Sequence, residues 1–86
     1  MTDYAITFAR SARKELEELD TTVVSRIFQK IEALAREPRP AGCRKLKGSR
    51  DLWRIRIGDY RVLYAVNDNE CLVDIIAVRH RSKAYD

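Results

Sequence analysis

Three arginines, Arg54, Arg56 and Arg61, flank a Gly58-Asp59 pair inside the run LWRIRIGDYRVLYAV. A two-residue connection of this kind between alternating apolar segments is a tight-hairpin signal. With those two residues as the loop, Ile57 faces Tyr60, Arg56 faces Arg61, and Ile55 faces Val62. Arg54 then lies opposite Leu63, and Trp53 opposite Tyr64. Side chains alternate across a sheet, so Trp53, Ile55, Ile57, Tyr60, Val62 and Tyr64 share one side and the three arginines share the other. Like charges directly opposite one another destabilise a sheet. A bridging anion relieves that repulsion, and the guanidinium fork suits bidentate contact with phosphate. The plainer alternative is a solvated strand face, with Asp74 screening the arginines from the next strand.

Other chemistry-bearing residues cluster near this run. In a simple second hairpin, Val78 and His80 point toward the arginine face and bring His80, Arg81 and Tyr85 beside it. Imidazole titrates closest to neutrality of all side chains, which suits it to proton transfer. A lone histidine is more often an ordinary surface residue, and a tyrosine near a chain end is often mobile. Arg44, Lys45 and Lys47 lie in a short charged segment, Gly42 to Gly48, and are candidates for further phosphate contacts.

The charge distribution points the same way. Residues 1–42 carry seven Lys/Arg and seven Asp/Glu, whereas residues 43–86 carry ten against six, which accounts for the whole net charge of +4. Such asymmetry implies a polyanion or an acidic partner met by the second half. Cys43 and Cys71 match no metal-ligand spacing, and the chain has one histidine, so neither a metal nor another cofactor is expected. Two partly buried thiols in a reducing compartment are the simple reading. No stretch approaches the roughly 20 apolar residues that span a bilayer. The opening MTDYAITFAR lacks the pattern of a secretory signal, so the expected location is the cytoplasm.

The elements that must position these residues follow from periodicity. With 86 residues, 45% apolar and 35% charged, the chain is expected to form one domain over residues 1–86. Tyr4, Ile6 and Phe8 alternate with Ala5 and Thr7 as a strand. Ala12, Leu16 and Leu19 recur at helical spacing among charged residues. Asp20-Thr21-Thr22 then offers N-cap chemistry to a second helix, patterned by Val24, Ile27, Phe28, Ile31, Leu34 and Ala35 and ended by Pro38 and Pro40. The short connection implies an antiparallel helical hairpin. Gly42 to Gly48 reads as a charged edge strand, followed by strands over Leu52 to Ile57, Tyr60 to Asn67 and Cys71 to Val78. The predicted order is β-α-α-β-β-β-β: an α+β domain whose hairpin covers one face of a small, largely antiparallel sheet. Leu63, Leu72, Ile76 and Val78 are expected to share the outer face with the arginines, as a docking surface for a partner helix or as the thinner half of the sheet.

Four segments, YAITFARSARKELEELD, PRPAGCRKLKG, LWRIRIGDYRVLYAV and IIAVRHRSKAY, together resemble the RelE/ParE toxin superfamily, and its RelE branch more narrowly. The resemblance spans nearly the whole chain and rests on the GDYRVLY block followed in order by the VxHR…Y ending. It implies a RelE-like fold and a toxin of a type II toxin–antitoxin pair. It also implies an endoribonuclease that enters the ribosomal A site and cuts the codon held there. In that reaction the ribose 2′-hydroxyl attacks the adjacent phosphate, leaving a cyclic phosphate and a free 5′-hydroxyl. Position by position, the family's working residues fall on Arg54, Arg56, Arg61, Arg81 and Tyr85, with His80 raised as a further catalytic candidate. The prototype carries lysine where this chain has Arg54 and Arg56, and arginine does not give up its proton, so the general base is left open. The expected partners are a small RelB-like or other antitoxin and the ribosome with its mRNA, with operator DNA met only through the antitoxin and no membrane. Two other readings stay open: a ParE-like inhibitor of DNA gyrase, and a non-catalytic corepressor acting with its antitoxin.

Overall fold

In the computed structural model, residues 3–49 and 51–83 are described. The elements run β1 (Ala5–Phe8), α1 (Arg10–Glu17), α2 (Thr21–Ala33), β2 (Arg44–Lys45), β3 (Leu52–Ile57), β4 (Tyr60–Asn67), β5 (Leu72–His80) and one 3-10 turn (Arg81–Lys83). The strands form one sheet in the order β1-β5-β4-β3-β2. Among the described residues only the β1–β5 pairing is parallel. This is the α+β arrangement that the periodicities predict. Among the described residues no helix is long and apolar enough to cross a membrane.

Helix α1 follows directly from β1, and α2 follows α1 after a short turn, so both lie on one side of the sheet. Asp20 occupies the N-cap of α2 with extended backbone (φ −62°, ψ 144°), but its side chain makes no cap hydrogen bond. The stop at the far end of α2 is a tightened turn: the amides of Leu34, Ala35 and Arg36 donate to the carbonyls of Ile31, Glu32 and Ala33. The helices bury Ala12, Leu16, Ile27, Ile31 and Leu34 against Ile55, Ile57, Val62, Tyr64, Val66, Val73, Ile75 and Val78. Tyr64 is fully buried, and its hydroxyl donates to the carbonyl of Pro38 at 2.7 Å. Burial, with Cys43 nearby, pushes its phenol well above the usual range.

Sheet β3–β4 has the register deduced from the Gly58-Asp59 turn, pair for pair from Ile57 and Tyr60 to Trp53 and Tyr64. Gly58 sits at φ +60°, at the first central position of the turn, where a glycine supplies the backbone twist a hairpin needs. A side chain there is strained whatever the space around it. Gly58→Val is therefore expected to cost about 1–2 kcal/mol, read as a lower midpoint of urea unfolding.

The second hairpin departs from the expectation. Tyr64 pairs with Ile75, but Leu63 pairs with Ala77, so Ile76 is passed over as a bulge. A bulge inverts the alternation for every residue beyond it. Val78 consequently pairs with Val62 in the core, only 3% exposed, rather than on the arginine face. His80 pairs with Tyr60 and also lies on the helix side. Both orientations expected from simple register are thus corrected, and Arg79 takes the outward position, opposite Arg61.

Strand β1 covers only the first half of β5, Leu72 to Ile75. Beyond it, α1 closes the open edge. The Ser11 hydroxyl donates to the Ile76 carbonyl at 2.9 Å, and Glu15 Oε1 accepts the Val78 N–H at 2.9 Å. Without these side chains the edge would keep unsatisfied backbone groups.

At the opposite end of the sheet, Arg39 grips Asp68 through two hydrogen bonds, 2.9 and 3.2 Å, and lies 5.1 Å from the centre of the Trp53 ring. The Tyr4 hydroxyl donates to the same carboxylate at 2.6 Å. These bonds, first from Arg39 and then from Tyr4, hold Asp68 below its ordinary value of 3.8. A depressed carboxyl pKa contributes stability above the unfolded value, and that contribution is lost as pH falls through the folded value. Asp68→Asn is therefore expected to be less stable than the parent at neutral pH. The gap in thermal midpoint should close as the pH drops below about 4. Because the pair is exposed, the effect at neutral pH is small.

Candidate RNA-binding face

The outer face of the sheet is built from the arginines. Arg56, Arg61 and Arg79 stand directly opposite one another across β3, β4 and β5, and Arg44 stands opposite Arg54 across β2 and β3. Adjacent strands are about 4.8 Å apart, so the row of three crosses about 10 Å. Arg56 and Arg79 are exposed and Arg61 is half-buried. Arg54 is the chain's buried charged residue, 6% exposed among the described positions. At that exposure the guanidinium as well as the stem lies within the face, where a buried charge needs polar partners. Asp74, read from sequence as the screen for these charges, accepts the Thr7 hydroxyl at 2.9 Å.

Two arginines are tethered at the sheet's edge and tip. Arg79 Nε lies 3.5 Å from Glu15 Oε2, whose other oxygen caps the Val78 amide. Arg81 begins the 3-10 turn, and its backbone N–H donates to the Asp59 carbonyl at 2.7 Å. Its Nε is 3.9 Å from Asp59 Oδ1, an exposed pairing that leaves the guanidinium 70% accessible. The β3–β4 turn therefore fixes where the chain leaves β5, and Arg81 sits at the same end of the sheet as the arginine row.

The remaining sequence candidates divide. Arg44 belongs to the outer face, whereas Lys45 pairs with Trp53 and falls on the other side. Lys47 is exposed in the turn after β2, because the predicted edge strand is regular only over Arg44–Lys45. His80 meets Tyr60 edge-on, with ring centres 5.3 Å apart, on the side of the sheet away from the arginines. Tyr85 lies outside the described residues. Sequence reasoning missed Arg79 and Glu15. The run Ile75-Ile76-Ala77-Val78, four apolar residues without alternation, permits a phase slip but does not mark one.

A converging set of guanidinium groups can bind an anion with several charges and stabilise charge that grows on it. Known proteins bear on what that anion is. The family model described as ParE toxin of type II toxin-antitoxin system, parDE, matches residues 6–85. The mRNA interferase toxin RelE of Escherichia coli K12 is 33% identical over an alignment of 86 positions that covers 95% of this chain and 90% of that protein. Among solved structures, the archaeal RelE of the RelE–RelB complex from Pyrococcus horikoshii OT3 superposes with a TM-score of 0.82 at 32% identity, covering 98% of this chain and all of that one. A chain of the intact E. coli RelBE toxin–antitoxin complex gives 0.80 at 31%, covering 96% and 99%. Sequence and fold agree along the full described length, and the chain belongs to the RelE/ParE superfamily of toxins of type II toxin–antitoxin systems.

Proposed function

We propose that this toxin is an endoribonuclease that cleaves mRNA in the ribosomal A site and so arrests translation. The observation that carries this reading is the cross-strand row Arg56–Arg61–Arg79, with Arg44, Arg54 and Arg81 around it, on a face that the helices leave uncovered. The sugar–phosphate backbone is the ligand that matches several cations set a few ångströms apart. Naming of the E. coli relative as an mRNA interferase supports the same choice.

The chemistry assigns the roles. In-line attack of the 2′-hydroxyl on the adjacent phosphorus forms the cyclic phosphate, breaks the bond to O5′, and concentrates negative charge on the phosphoryl oxygens. Preorganised cations act most strongly where such charge develops. Arg61, at the centre of the row, and Arg81, at the tip, take that task. Arg56 and Arg44 hold neighbouring phosphates and align the ribose, Arg54 adds its charge from beneath them, and Arg79 extends the row toward β5. Lys45 and Lys47 add attraction for the backbone from the edge.

The 2′-hydroxyl proton needs an acceptor and O5′ needs a donor. Arginine supplies neither, because it does not deprotonate, and His80 lies on the far side of the sheet. Tyr85 and groups of the ribosome remain for these steps. An antitoxin is the expected partner, as in the RelBE complex of E. coli, and neutralises the toxin by covering the arginine face.

Induced expression followed by mapping of mRNA 5′ ends tests the reading. Cuts at codon positions that depend on translation support it. The match to the ParE toxin family model favours a second reading, a gyrase inhibitor of the ParE type. That reading predicts intact messages and gyrase-linked DNA breaks.

A further inference from the structure

We infer that His80 is a positioning residue for Arg81, holding it through the backbone rather than exchanging protons with RNA. The inference rests on the nuclease reading for its consequence but on hydrogen-bond geometry for its substance. His80 Nδ1 lies 3.2 Å from the backbone nitrogen of Ser82 and 3.0 Å from the Ser82 hydroxyl. The amide N–H can only donate, so Nδ1 must present its lone pair. The ring is then neutral with its proton on Nε2. A side-chain acceptor that takes the N–H two residues ahead makes the same closed turn that Asn and Asp make in Asx turns. The residue enclosed by that turn is Arg81.

Arg81 is therefore fixed from both sides. Its own amide is held by the Asp59 carbonyl at 2.7 Å, and the next amide is held by the imidazole. The imidazole is in turn fixed by the edge of Tyr60, its cross-strand partner. Three short links join the β3–β4 turn, the end of β5 and the 3-10 turn into one unit that sets the direction in which Arg81 leaves the sheet. Loss of the Nδ1 acceptor frees the turn without touching the arginine row.

Glu15 from α1, Glu18 at its C-cap, Tyr60 from β4, and Arg79 and Ser82 line an open groove of about 440 Å³ with His80. Arg81 and Asp59 lie just beyond.

Three variants separate positioning from proton transfer. His80→Phe keeps a ring against Tyr60 but has no acceptor, whereas His80→Asn keeps an acceptor for the Ser82 amide. In cleavage by the toxin on translating ribosomes, His80→Phe is expected to lower kcat about tenfold with KM nearly unchanged, the size of one lost aligning hydrogen bond. His80→Asn should stay within about threefold of the parent. In an Arg81→Ala background, His80→Phe should cost nothing further, because both act through one group. Equal damage from the Phe and Asn variants, or a full additional loss in the Arg81→Ala background, would overturn the inference. A second arm needs no cleavage. Nitrogen NMR of the purified protein at pH 8 should find Nδ1 unprotonated and Nε2 carrying the hydrogen. A proton on Nδ1 at that pH refutes the proposal by itself. Silence of the wild type in the ribosomal assay refutes the nuclease reading alone, and the NMR outcome then decides the role of His80 independently.

Discussion

Arg61→Ala is expected to lower the rate of mRNA cleavage by about 10²–10³ while the protein remains folded. Arg61 is the middle residue of the row, opposite Arg56 on one strand and Arg79 on the other. A phosphate seated there is met by cations from three strands, and the central one reaches it from whichever side it binds. Removing a preorganised donor from a developing oxyanion has the quoted cost elsewhere, about 2.7–4 kcal/mol of transition-state stabilisation. Stability should not fall in parallel, because the substitution also removes two like-charge pairings from the sheet. The measurement is toxicity and primer-extension mapping of mRNA ends on induction, beside the circular dichroism and urea midpoint of the purified variant. Undiminished cleavage by Arg61→Ala and by Arg81→Ala would sink the assignment of this face.

Ile27→Ala is expected to abolish toxicity by the other route, through the fold. Ile27 has no exposed surface and packs in the middle of the core between α2 and the sheet. Truncating such a side chain costs about 2–5 kcal/mol, by lost burial and the cavity left behind. A domain of this size has only about 5–15 kcal/mol in total. The urea midpoint should drop sharply with little change in slope, and cleavage should fall with the folded fraction. The two variants thus lose the same phenotype for different reasons, and antitoxin binding separates them. Arg61→Ala should still bind its antitoxin at 37 °C, and Ile27→Ala should bind less as it unfolds.

How much of this was legible in the sequence depends on the range over which each feature is decided. The Gly58-Asp59 turn fixes its hairpin within a few residues, so the pairing of Arg56 with Arg61 was readable in advance. Helical spacing likewise marked Leu16, Ile27, Ile31 and Leu34 as core. The side on which His80 falls was not readable, because one unpaired residue at Ile76 reverses everything after it. Bulges leave no fixed signature when the neighbouring residues are all apolar. Glu15 was unreadable for another reason. On its helix it looks like one of several solvated carboxylates, and its task is set by β5, 63 positions away, whose edge amide at Val78 it caps.

The sequence by itself determined the order of the elements, the sidedness of the central hairpin, the concentration of positive charge in the second half and membership of the toxin superfamily. The first three follow from local periodicity, turn chemistry or composition, which act over short distances along the chain, and the last from the resemblance of four segments to that family. Only the tertiary structure decided that Arg79 joins the arginine row, that Val78 turns inward and that His80 works from behind the sheet on the backbone of Arg81. Those outcomes depend on how strands distant in sequence come into register, and register is settled by packing and edge hydrogen bonds.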